Sequence, residues 1–161
     1  MSAILCENSL KNYSVQSFRI RYKCANPPPK KALTSPERVI SATRALFDEL
    51  DGGSSVEHFG AWFVNAQNEV IGFKAFNTGT VDQVAVYPRM VIHTALMIGA
   101  AGMILAHNHP SGYVDPSEED RRLTRSIVEA GKLFDIRVLD HVIISGHVEN
   151  VYYSFLERGI L

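Results

Sequence analysis

Apolar positions along the chain change their period several times, and each change marks an element. In "PERVISATRALFDEL" (36–50), Val39, Ile40, Leu46, Phe47 and Leu50 recur at helical spacing, with Thr43 the one polar member of the stripe. Ser35 suits an N-cap, Pro36 suits the first helical position, and Gly52 and Gly53 should end the helix. The stretch 59–76 reads differently. Two β-rich runs, about 59–65 and 70–76, flank a polar turn at 66–69, which predicts an antiparallel hairpin. "TGT" (78–80) marks a second turn, and Val84 and Val86 suggest a third strand. Pro88 opens a helix with Val91, Ile92, Ala95, Leu96 and Ile98, which Gly102 breaks.

"MILA" (103–106) is uninterrupted apolar, as a strand buried on both faces would be. Residues 117–133 return to helical period with Leu123, Ile127, Ala130 and Leu133 inside. "FDIRVLDHVIIS" (134–145) reads as a further strand, and "VYYSF" (151–155) either pairs with it or opens a short closing helix. Helix, hairpin, strand, helix, strand, helix, strands is the order of a three-layer α/β/α sandwich around a mixed sheet.

Composition refines this picture. With 161 residues, 46% apolar and 20% charged, the chain has the make-up of about one globular domain. No apolar run approaches the roughly 18 residues of a membrane helix, and no secretory signal is evident. The two cysteines, Cys6 and Cys24, are then expected as reduced thiols in a cytoplasmic protein. "NPPPKK" (26–31) separates an N-terminal arm, 1–34, from a body, 35–161. Val15, Phe18, Ile20 and Tyr22 partly alternate with polar residues, which suggests a short strand in the arm. Residues 1–35 carry six Lys/Arg and one acid, whereas 36–161 carry ten and sixteen. An acidic body argues against broad nucleic-acid binding, and the basic arm is expected to be a solvated tail.

The chemistry concentrates in "LAHNHPSGYVDPSEED" (105–120). His107 and His109 stand two apart at the C-terminal end of the apolar strand, so their rings point to the same side. In α/β sheets that end is where ligands sit. Ser117 then begins a helix and places Asp120 in its first turn, able to face back toward the histidines. Two imidazoles and a carboxylate make a three-donor set for a divalent cation, Zn²⁺ first, with a fourth position for water. Ser117-x-x-Asp120 is equally a helix capping box, and the two roles are compatible. His-x-His-Pro, six residues, then Ser-x-x-Asp has a chance probability on the order of one in ten million per start position. A general base should come from elsewhere. Glu57 is the candidate, with Glu49 and Glu69 as rivals that spacing alone leaves open. Asn108 should point away from the metal, and His141 is read as a structural or supporting residue near the cleft.

These residues resemble the JAMM (JAB/MPN) metalloprotease motif, His-x-His, seven residues, Ser-x-x-Asp. "HNHPSG", with "YPRMVIHTAL" before it and "LDHVIISG…YYSFLERGIL" after, resembles the RadC-like branch in particular, over 35–161. The resemblance implies a cytidine-deaminase-like fold and a zinc site of His107, His109 and Asp120. It also implies Glu57 as general acid/base and Ser117 as a residue that helps hold the oxyanion. The implied activity is zinc-dependent hydrolysis of peptide or isopeptide bonds in a peptide or protein substrate.

Two other readings stand beside it. The first is a DNA-associated accessory protein, after the DNA repair label long attached to RadC-like proteins. The second is a metal-bearing scaffold without turnover. "HNH" does not make an HNH nuclease. Cytidine deamination would need a His-x-Glu and a downstream Cys-x-x-Cys, and the sequence has no Cys after Cys24.

Overall fold

The computed structural model describes Leu33 and residues 35–78 and 86–161. The expected arm strand, Cys6, Cys24 and Val84 lie outside those residues. Helix α1 (Pro36–Asp48) is followed by a 3₁₀ turn (Gly53–Ser55) and by the hairpin strands β1 (His58–Val64) and β2 (Val70–Thr78). Then come α2 (Pro88–Ile98), β3 (Gly102–His109), α3 (Glu118–Lys132), β4 (Arg137–Ser145) and β5 (Tyr152–Ser154). The strands form one five-stranded sheet in the order β2-β1-β3-β4-β5. Among the described residues only β3 and β4 run parallel, and α3 is the crossover that joins them. "VYYSF" therefore pairs as a strand, antiparallel to β4.

Alternation along the strands divides the core. Phe59, Ala61, Phe63, Met103 and Leu105 pack under α2 and α3 with Val91, Ile92, Ala95 and Ile127. Trp62, Ile104, Ala106, Val142 and Ile144 face the other way, onto Val39, Ile40 and Phe47 of α1. These are the three expected layers. Thr43, the polar member of the α1 stripe, is fully buried because the Trp62 indole N–H donates to its hydroxyl at 2.8 Å. That bond removes the penalty of an unpaired buried polar group.

The structure corrects three boundary expectations. First, α1 ends at Asp48, and Gly52 (φ 83°) and Gly53 (φ 50°) instead turn the chain into the 3₁₀ segment. Second, α2 ends at Gly99 (φ 67°), whose amide bonds the Ala95 and Leu96 carbonyls. Gly102 opens β3, where an added Cβ would lie 3.2 Å from both the Arg137 carbonyl oxygen and Val64 Cγ2, so this glycine marks close approach, not a cap. Third, Val86 precedes α2 outside any strand and packs against the core under α2 and α3.

Candidate metal centre

The end of the sheet that carries the site is defined by β3. Phe59 pairs with His107 across the antiparallel β1/β3 ladder. The same register, carried one pleat further, sets Glu57 across from His109. His107 and His109 project to the α3 side, while Asn108 between them projects to the α1 side, as the alternation of β3 requires.

The two imidazoles converge. His107 Nε2 and His109 Nε2 lie 3.0 Å apart. Asp120, in the first turn of α3, brings Oδ1 to 3.3 Å from His107 Nε2 and Oδ2 to 3.6 Å from His109 Nε2. Bond lengths of about 2.0–2.1 Å around a tetrahedral ion correspond to a donor–donor edge of about 3.3 Å. The three separations bracket that edge, so the donor set fits a small divalent cation. Glu57 also offers a carboxylate oxygen within 4.8 Å of a nitrogen on each histidine, and could hold the ion in Asp120's place or stand beside it. Asp120 is tethered at the shorter distances, while Glu57 is exposed.

Access is one-sided. The His107 side chain is 1% exposed, whereas His109 and Asp120 are 16% and 15% exposed, so solvent reaches the site past these two and Glu57.

Local structure fixes each donor. Gly112 (φ 87°) turns the loop after β3 so that the Tyr113 carbonyl accepts a hydrogen bond from His109 Nδ1 at 2.6 Å. This leaves Nε2 to face the site. Ser117 caps α3: its hydroxyl accepts from the Asp120 amide at 3.1 Å and donates to Asp120 Oδ2 at 2.6 Å. The Ser117 amide donates to the same oxygen at 2.8 Å, completing the capping box. The hydroxyl proton of Ser117 is thus committed to Asp120, which it orients.

Electrostatics follow from these contacts. Burial pushes the Asp120 carboxyl up, but the neighbouring imidazoles of His107 and His109 and the Ser117 hydroxyl outweigh it and hold the carboxyl well below its usual range. Burial pulls His109 down, and Asp120, the Tyr113 carbonyl and Glu57 together more than reverse that, so His109 is raised. A divalent cation held there would compete with that proton.

Two residues matter more than their spacing implied. Asn108 is fully buried, and its amide fastens the segment that carries Glu57. Oδ1 accepts from the His58 amide at 2.8 Å, while Nδ2 donates to the Val56 carbonyl at 2.8 Å and the Ser54 carbonyl at 3.4 Å. Backbone on both sides of Glu57 is therefore tied to the residue between the two histidines. His141 is fully buried and lies 2.8 Å (Nε2) from His107 Nδ1. The alternation of β3 foretold where Asn108 points, but its partners come from some fifty residues away. The rivals of Glu57 stand elsewhere: Glu49 is the exposed C-cap of α1, and Glu69 accepts from Asn65 in the turn of the hairpin.

The family described as "RadC-like JAB domain" matches residues 33–160. A UPF0758 protein of Thiobacillus denitrificans is 49% identical over 130 residues, which cover 81% of this chain and 55% of that protein. A UPF0758 protein of Rubrobacter xylanophilus is 40% identical over 141 residues, covering 88% and 59%. The UPF0758 protein YeeS of Escherichia coli is 42% identical over 132 residues, covering 80% and 87%. The chain thus spans a little over half the length of the first two relatives and most of the third. Among the described residues, no helix is long and apolar enough to cross a membrane.

Proposed function

This chain belongs to the RadC-like JAB domain family, and from that premise and the site geometry we propose that it is a zinc-dependent hydrolase of peptide or isopeptide bonds. The observation that carries the reading is the convergence of His107, His109 and Asp120 within 3.0–3.6 Å of one another, with Glu57 beside them.

In this reading His107 Nε2, His109 Nε2 and Asp120 hold a zinc ion. Zinc supplies Lewis acidity toward a water molecule and a scissile carbonyl, with no redox chemistry. Glu57 stands on the solvent side, takes a proton from the attacking water and delivers it to the leaving amine. Its exposure suits a group that must exchange protons in each cycle. Asn108 keeps that carboxylate in place by holding the backbone on either side of it. Ser117 orients Asp120, and it serves the oxyanion only if its hydroxyl leaves Asp120 Oδ2 in the complex with substrate. The substrate class is a peptide or protein.

The test is a peptide-library digest with zinc-loaded full chain, read by mass spectrometry as new termini. Wild type should produce them and Glu57→Gln should not, with zinc content equal in the two. New termini at equal yield from Glu57→Gln would remove the assigned base. A zinc-loaded wild type that cleaves nothing would favour the scaffold reading.

A further inference from the structure

The hydrogen bonds behind His107 run in one direction only, and that direction can be worked out from their far end. Thr124, on α3, has its hydroxyl 2.6 Å from the Asp120 carbonyl oxygen and 2.6 Å from His141 Nδ1. A carbonyl only accepts, so the single hydroxyl proton goes to Asp120, and toward His141 the hydroxyl is the acceptor. His141 Nδ1 therefore carries a proton. A neutral imidazole has one N–H, so His141 Nε2 is an acceptor, and the contact at 2.8 Å requires His107 Nδ1 to donate. Neutral His107 is then left with a bare Nε2, the atom that faces His109 and Asp120.

Surroundings keep His141 neutral. It is fully buried, stacked on Phe155 at 4.9 Å and met edge-on by Phe59 at 5.8 Å. With the opposite proton arrangement, His141 would donate to His107 Nδ1 and His107 would carry its proton on Nε2, where a metal could not bind.

We propose that His141 and Thr124 are positioning residues of the metal centre: together they impose the Nδ1–H form on His107, so that its Nε2 lone pair is presented to the cation. The relay begins and ends on one residue. The backbone carbonyl of Asp120 accepts its last proton, while the Asp120 carboxylate is a donor to the ion. The circuit ties β3, β4 and the first turn of α3 into one unit, and it sets the angle at which α3 offers Asp120. Metal-bound histidines usually donate their second N–H to a carboxylate or carbonyl. Here a second histidine accepts it, and the choice works only because a hydroxyl with a single proton lies behind that histidine.

The proposal rests on the zinc reading above, and its test separates the two. Long-range ¹H–¹⁵N correlation spectra of the metal-free full chain read the ring tautomers without reference to zinc. His107 and His141 should both appear as Nδ1–H forms, and a His107 protonated on Nε2 alone would overturn the proposal. Zinc affinity is then measured by competition with a chromophoric chelator for wild type, Thr124→Val and Thr124→Ser. Valine fills the space of threonine without a hydroxyl, so Thr124→Val should bind zinc about 10–100-fold more weakly. Thr124→Ser keeps the hydroxyl and should restore most of that loss. Zinc binding by Thr124→Val equal to wild type would overturn the proposal alone. A wild type that binds no zinc would overturn the metal reading, and this proposal with it.

Discussion

Replacing Asn108 by aspartate changes one NH₂ to an oxygen in a fully buried position. The acceptor side survives, since an oxygen still receives the His58 amide, now 2.8 Å from Oδ1. The donor side does not. An ionised carboxylate would set an oxygen against the Val56 carbonyl, at the 2.8 Å where Nδ2 now donates. Losing that bond and burying the charge without a partner should cost on the order of 3 kcal/mol at neutral pH. A protonated carboxyl, however, carries an O–H that can donate to Val56 and rebuild the network. The folded state then binds this proton more tightly than the unfolded state, whose pKa is about 3.9. Stability is therefore kept below the unfolded value and lost as pH rises through the higher folded one. Urea unfolding of wild type and Asn108→Asp, both with chelator present, tests this from about pH 8 to about pH 5. The metal ligands titrate in both proteins and cancel in the difference. The deficit should shrink from about 3 kcal/mol at pH 8 to about 2 kcal/mol at pH 5, the remainder returning only as pH falls toward the unfolded value. A deficit below about 0.5 kcal/mol, or one independent of pH, would refute the view that a buried amide pins the Glu57 segment.

Two further substitutions examine the supports of the site. At Gly146 an added Cβ would lie 2.7 Å from the Ser54 carbonyl oxygen, 3.0 Å from Pro110 Cα and 3.1 Å from the His109 carbonyl oxygen. All three are backbone atoms, so Gly146→Ala should lose about 1–3 kcal/mol in denaturant unfolding. Unchanged stability would mean that the loop after β3 yields freely. Ser117→Ala removes the cap and the tether on Asp120, and should cost about 1 kcal/mol in stability and about tenfold in zinc affinity by chelator competition. Unchanged zinc affinity with reduced turnover would assign the hydroxyl to the oxyanion instead.

Much of this was legible in the sequence, because the signals were local. Ser35-Pro36, the hairpin turn and the apolar run before His107 each report on neighbours within a few residues. The His-x-His spacing placed two rings on one face of a strand, and Ser117-x-x-Asp120 turned a carboxylate back from a helix. What the sequence concealed was long-range or ambiguous. A glycine can cap a helix, as Gly99 does, or admit a close backbone, as Gly102 does, and only packing tells them apart. No local pattern marks Thr124, and Asn108 is legible only as a residue that points away from the two histidines. Their partners, His141 and the backbone around Glu57, are brought to them by strand pairing that no local pattern encodes.

Zinc stoichiometry tests the central claim most directly. Full chain dialysed against zinc and then against metal-free buffer should retain one ion per chain in wild type and in Glu57→Gln. His107→Ala, His109→Ala and Asp120→Ala should each lose it while staying folded by circular dichroism. Equal zinc in wild type and His109→Ala would contradict the account.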